Sequence, residues 1–187
     1  MNKLLVVNLY AGPGAFKSTI ATGVFTLLKL HGIECECIYE FPKELVWEES
    51  LNTLKDQNYI FSEQAHRLWR IKNKAEVVLM DSPLLLSLIY KQKDLGGDFI
   101  NHVVSIYSKY NNLNIFIERA LDKKFIINGR VQDFQESIVI DNEIKKMLDK
   151  YCNKYTNIKA GYTAITMITS MILQKLNIKL KYDLIKL

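Results

Sequence analysis

Gly12-Pro13-Gly14-Ala15-Phe16-Lys17-Ser18-Thr19 is the stretch whose reading decides the fold. An apolar run, residues 4–10, precedes it and reads as a strand. Residues 19–30 follow and read as an amphipathic helix closed by Gly32. A phosphate-binding loop has the pattern G-x-x-x-x-G-K-[ST] between a strand and a helix. Lys17 and Ser18 fit that pattern, while Ala11 stands at its first glycine and Phe16 at its second. Such a loop curls backbone N–H groups round a phosphate, and the helix behind it presents its positive end to the same group. Gly12, Pro13, Gly14, Ala15, Phe16 and Thr19 are expected to line the nucleotide. Lys17 is expected on the outer phosphates and the Ser18 hydroxyl on Mg²⁺. The competing reading is a glycine-proline turn that happens to precede a helix. A side chain at Phe16 is expected to strain the loop by roughly 1–3 kcal/mol. Placed wholly on affinity, that is a loss of about 5- to 150-fold. The expectation is a weakened nucleotide site.

Strand and helix patterns alternate outward from the loop. Residues 33–39 read as a strand, 43–57 and 60–73 as helices, and 76–80 as a buried strand. Pro83 suits the first turn of a helix running to residue 90. A helix over 99–110, a strand over 113–118, helices over 137–151 and 162–176 and a last strand over 178–187 complete the reading. This alternation predicts an α/β fold of three layers, a central parallel sheet with helices on both faces. One domain, 1–187, is expected, with a charged, irregular lid segment at about 119–131. In such folds ligands bind at the carboxyl ends of the strands. The polar residues there are Asn8, Glu40, Asp81 and the pair Glu118-Arg119.

The chain has 187 residues, 49% hydrophobic and 24% charged, enough for one well-filled core. No run approaches the ~20 apolar residues of a membrane span. The N-terminus lacks the zones of a signal peptide, so a cytoplasmic protein is expected. Cys35, Cys37 and Cys152 show no C-x-x-C pairing, which argues against zinc and for free thiols in a reducing compartment. The net charge of +5 suits a partner carrying phosphate, nucleotide or nucleic acid, and equally a Lys-rich composition with no binding meaning.

Asp81 closes an apolar strand, where an acid can organise Mg²⁺ beside a phosphate loop. Its alternative role is to cap the helix after it, although Ser82 can also cap. Glu40 faces the same rim, either to take a proton from an acceptor hydroxyl or as a solvated acid. Arg119 and Arg130 bracket the lid segment and can neutralise a transferring phosphoryl group, or lie on the surface. Gln64 and Arg67 share a helix face and can grip a base or phosphate, with Trp47 as a stacking surface. Trp69 reads as core.

Residues 8–19, 40–49, 52–64, 81–90 and 117–141 together resemble the small P-loop kinase-like proteins of phages labelled as ATPases. The last segment includes Gly129-Arg130-Val131-Gln132 and Ile140-Asp141. These proteins are similar in turn to nicotinamide riboside kinases and other nucleoside and nucleotide kinases. The resemblance implies a P-loop NTPase (nucleotide kinase-like) fold using ATP and Mg²⁺. Lys17 and Ser18 would match the phosphate-loop pair, Asp81 the acid after the third strand, Arg119 and Arg130 the lid arginines, and Glu40 an acid near the acceptor. It implies transfer of the γ-phosphoryl of ATP to a hydroxyl of a nucleoside, a nucleotide or, as in some relatives, a hydroxymethylated pyrimidine in DNA. The chain departs from the family at Phe16 and in the lid at residues 124–128. The alternatives are a nucleotide-binding or interaction protein with a degenerate loop, and a simple ATPase. Neither acceptor nor oligomeric state follows from the sequence.

Overall fold

The computed structural model describes residues 4–120 and 132–179. Its centre is a five-stranded, wholly parallel sheet in the order β2-β3-β1-β4-β5. The strands are β1 (Leu5–Tyr10), β2 (Cys35–Ile38), β3 (Val77–Met80), β4 (Asn111–Glu118) and β5 (Thr156–Lys159). Every residue of β1 is buried, as a strand covered on both faces must be. Side chains alternate across it. Leu5, Val7 and Leu9 meet α1 (Lys17–Leu30) and α8 (Tyr162–Lys175) through Ile20, Val24, Ile168 and Ile172. Val6 and Tyr10 meet α4 (Gln57–Trp69), α6 (Gly97–Tyr107) and α7 (Phe134–Tyr151) through Phe61, Val103 and Leu148. The expected three layers follow from these two cores. The order places β1 between β3 and β4, so the chain leaves β1 at the switch point where crevices open in such sheets.

Several elements differ from the sequence reading. The single helix expected over 43–57 is two, α2 (Phe41–Trp47) and α3 (Leu51–Lys55), because Glu49 turns left-handed at φ 57. After β3, Pro83 is extended at φ −60, ψ 148, and a 3₁₀ turn, Leu84–Leu86, leads into the short α5 (Ser87–Tyr90). β5 is an edge strand that buries only Ile158 and so carries no apolar run to announce it. Residues 178–179 are not a strand, and the rest of the expected last strand, 180–187, lies outside the described residues. Trp69 is 63% exposed and stacks on His66 rather than entering the core. Asn8 is buried within β1, where its Nδ2 donates to Asn112 Oδ1 and Asn114 Oδ1 at 3.0 Å, so it does not reach the strand-end crevice. All three cysteines are free. Among the described residues no helix is long and apolar enough to cross a membrane.

Candidate active site

The loop between β1 and α1 begins where β1 ends. Gly14 takes φ 78, which its lack of a Cβ permits. Phe16 takes φ 62, ψ 18, the left-handed conformation that glycine serves in the ordinary pattern. Such a backbone costs a non-glycine residue about 1–2 kcal/mol. The chain's own contacts hold it there. The Phe16 carbonyl accepts from Ile20 N–H at 3.0 Å, and its half-buried ring packs on the core beneath α1 and α8. The left-handed turn is thus part of the folded loop itself, with Phe16 in the conformation a glycine would take. No side chain caps α1 and no acid lies in its first turn, so its first N–H groups and its positive end face the loop.

Lys17 opens α1 and is 9% exposed. Its ammonium reaches back over the loop, donating to the carbonyls of Ala11 at 2.8 Å and Gly12 at 3.2 Å. The Ser18 hydroxyl donates to Asp81 Oδ2 at 2.6 Å. Asp81, at the end of β3, is buried, and its Oδ1 has no hydrogen-bond partner among the described residues. The cap position of the turn after β3 falls on Pro83, and the Asp81 carboxylate instead accepts from Ser18. A hydroxyl and a carboxylate with an unsatisfied buried oxygen are hard oxygen donors, the kind Mg²⁺ takes. Among the described residues no three His, Cys, Asp or Glu side chains group as a metal cage. The pair thus fits Mg²⁺, which keeps most of its waters and shares phosphate oxygens, better than a closed protein site. The Asp81 carboxylate also adds to burial in pushing the Cys37 thiol up to about 12.

A cavity of about 390 Å³ opens from residues 13–19 towards α4. That volume suits a small molecule. Glu40, at the N-terminus of α2, borders it, as do Ile60 and Gln64 of α4, Tyr90 of α5 and Gln132. Gln64 is 2% exposed. Its Nε2 donates to the Tyr39 carbonyl at 3.4 Å, and its Oε1 has no partner among the described residues. Burial pushes the Tyr90 hydroxyl well above its usual range, and the Glu40 carboxylate pushes it further.

Other expected site residues lie elsewhere. Trp47, at the end of α2, is 64% exposed and does not line the cavity. Arg67 does not line it either. Its guanidinium forks onto Glu44 at 2.9 and 3.0 Å, donates from Nε to Glu63 at 2.8 Å and lies over the Phe41 ring, tying α4 to α2. Arg119 is engaged with the back of the loop. Its Nε donates to Asp141 Oδ2 at 2.6 Å, its Nη1 to the Pro13 carbonyl at 2.8 Å and its Nη2 to the Ser137 carbonyl at 3.3 Å. Arg130 and the rest of the lid segment, 121–131, lie outside the described residues. Sequence reasoning assigned no role to Asp141, Tyr90 or Gln132. Ile140-Asp141 is part of the family resemblance, and that was the only signal for Asp141.

The sheet order, the β1–α1 loop and the helices on both faces define a P-loop NTPase fold of the nucleoside-kinase type. Deoxyadenosine kinase from M. mycoides with bound dATP superposes with a TM-score of 0.52 at 16% identity, covering 92% of this chain and 99% of that one. The same enzyme with the products dCMP and a flexible dCDP gives a TM-score of 0.50 at 16% identity, covering 92% and 98%. Likeness at this identity establishes the fold. No family model matches the sequence, and no curated protein does.

Proposed function

We propose that this protein is an ATP-dependent kinase that transfers the γ-phosphoryl group to a hydroxyl of a nucleoside or nucleotide. The observation that carries the reading is the Ser18–Asp81 pair at 2.6 Å, with Asp81 Oδ1 unsatisfied, beside a loop spanned by the Lys17 ammonium. Lys17 and Ser18 line one cavity together with Glu40 and Gln64, and Asp81 meets it through the Ser18 hydroxyl. ATP would lie with its phosphates on the loop N–H groups and the first turn of α1, and Lys17 would neutralise the outer phosphates. Ser18 and Asp81 would hold Mg²⁺, which supplies positive charge to the phosphate oxygens. Gln64 would present an amide to the acceptor base, and Glu40 would take the proton of the attacking hydroxyl. The acceptor oxygen forms its bond to Pγ as the bond from Pγ to the bridging oxygen breaks, and ADP leaves. Little covalent chemistry falls to the protein, so positioning and charge carry the rate. Arg130 is proposed as the arginine on the transferring group, since Arg119 is already bound to Asp141.

A hydroxymethylated pyrimidine in DNA is a further candidate acceptor. The side chains at Ala11 and Phe16, where the pattern has glycines, favour a second reading, a nucleotide-binding protein without turnover. Labelled ATP offered with nucleosides, nucleotides and hydroxymethyl-pyrimidine DNA in separate reactions decides between them. Transfer to at least one acceptor is expected, with a loss of 100-fold or more in Lys17→Ala, since removing one such contact costs roughly 10²–10³ in rate. ATP binding with no transfer to any acceptor selects the second reading. Transfer that survives Lys17→Ala unchanged removes the kinase reading.

A further inference from the structure

Asp141 of α7 uses both of its oxygens at the back of the phosphate loop. Oδ1 accepts from the Gly12 N–H at 2.6 Å, and Oδ2 accepts from Arg119 Nε at the same distance. Arg119 returns to the loop through the Pro13 carbonyl and to α7 through the Ser137 carbonyl. The pair is shielded, with side-chain exposures of 8% for Arg119 and 14% for Asp141. Gly12 sits against it so closely that a Cβ would lie 2.6 Å from the Ser137 carbonyl oxygen and 3.0 Å from Asp141 Oδ1. α7 therefore touches the opening turn of the loop through backbone, and only glycine fits there.

We propose that Asp141 is a positioning residue of the phosphate site: through the Gly12 N–H and through Arg119 it fixes the opening turn of a loop that has alanine, not glycine, at Ala11. The proposal rests on the nucleotide-site reading above. Loop N–H groups bind phosphate strongly only when they are already aimed, because re-aiming them on binding subtracts from affinity. A carboxylate accepting from an amide and a guanidinium makes two charge-assisted bonds, which set geometry as well as energy. Arg119 alone cannot do this, since a guanidinium only donates and the Gly12 N–H needs the acceptor that Asp141 supplies.

The test compares the wild type with Asp141→Asn, Asp141→Glu and the double variant Arg119→Gln/Asp141→Asn. Titration calorimetry with MgATP and with inorganic tripolyphosphate is read beside urea denaturation. The expected result is about tenfold or more weaker binding of both ligands in Asp141→Asn and in the double variant, by similar factors, since one charge-assisted contact is worth roughly that much. Partial recovery is expected in Asp141→Glu. The double variant leaves no unpaired charge, so it carries the test if Asp141→Asn fails to fold. Wild-type affinity for tripolyphosphate in either folded variant, whatever its urea midpoint, overturns the proposal and leaves a purely structural ion pair. A wild type that binds neither ligand overturns the nucleotide-site reading itself, and that failure is seen before any variant is measured.

Discussion

Phe16 combines two opposing terms in one side chain. Its left-handed backbone is strained, and its ring is packed on the core beneath α1. Phe16→Gly relieves about 1–2 kcal/mol of strain and gives up packing of similar size for a half-buried aromatic ring, about 1–2 kcal/mol. Stability within about 1 kcal/mol of wild type is expected by denaturant titration. ATP affinity is expected to stay within about twofold, because glycine takes the same left-handed turn without strain and the Lys17 and Arg119–Asp141 contacts on the loop remain. A tenfold gain in affinity would place the strain on binding instead. Asp81 makes a separate prediction. In Asp81→Asn the oxygen that is unsatisfied loses its charge, so ATP should bind in Mg²⁺ no better than it does in EDTA. A Mg²⁺ enhancement that survives the substitution removes Asp81 from the metal. The places of Lys17, Ser18, Glu40 and Asp81 were legible from sequence because each sits at a strand end or in the loop pattern, whereas Gln64 was read from a helix face it shares with Arg67. Arg119 and Asp141 were not legible as a pair, since 22 residues separate them and no local spacing links them.

At the scale of elements, the α2–α3–α4 wall of the cavity shows what pattern reading misses. The break at Glu49 needs a left-handed residue with no glycine to announce it. Arg67 reads as a ligand residue by its helix face, but it instead locks α4 to α2. Hydrogen bonds from Arg67 hold the Glu44 carboxyl below the usual carboxylate range, outweighing the opposite effect of burial. A carboxyl lowered in the folded state stabilises it above the unfolded value, and that contribution is lost as pH falls through the folded value. Glu44 is half-exposed, so the effect is that of a surface pair. Glu44→Gln should be less stable than wild type by about 0.2–1 kcal/mol at pH 7. The gap should narrow as pH falls from about 4 to 3, where the unfolded carboxylate takes up its proton, and close fully only below the lower folded value. Urea midpoints of both proteins from pH 7 to 3 check it, and a gap undiminished at the acid end would mean that the pair acts through packing. β5 was missed for another reason: an edge strand with one buried residue, Ile158, presents almost no apolar signal, and only its pairing with β4 defines it.

For the whole molecule, the alternation of patterns made the three layers legible, but the sheet order and the pairing of layers come from contacts far apart in sequence. The contact of α1 with α8 is one such. Gly23 of α1 faces Ile165 of α8 with no room to spare: a Cβ would lie 2.5 Å from Ile165 Cδ1 and 3.0 Å from its Cγ1 and Cγ2. Three atoms of one branched side chain cannot all withdraw, so the helices must separate or Ile165 must leave its rotamer. Gly23→Val should therefore destabilise the fold by about 1–3 kcal/mol, even though valine lowers the entropy of the unfolded chain relative to glycine. The urea midpoint should fall with little change in slope, as for a protein that unfolds in one step. The consequence for the site separates two ways of building it. If α1's seat on α8 sets the loop, ATP affinity should collapse with stability, because α1 begins at Lys17. If the loop is held locally, by the Phe16 ring, the Lys17 ammonium on its carbonyls and the Arg119–Asp141 pair, affinity of the folded variant should stay within about twofold of wild type. The local contacts are short and close to the loop, whereas Gly23 lies further along α1, so the second outcome is expected. Calorimetric titration of ATP well below the variant's midpoint measures it, and a tenfold loss there would move control of the loop from its own contacts to the packing of the two helices.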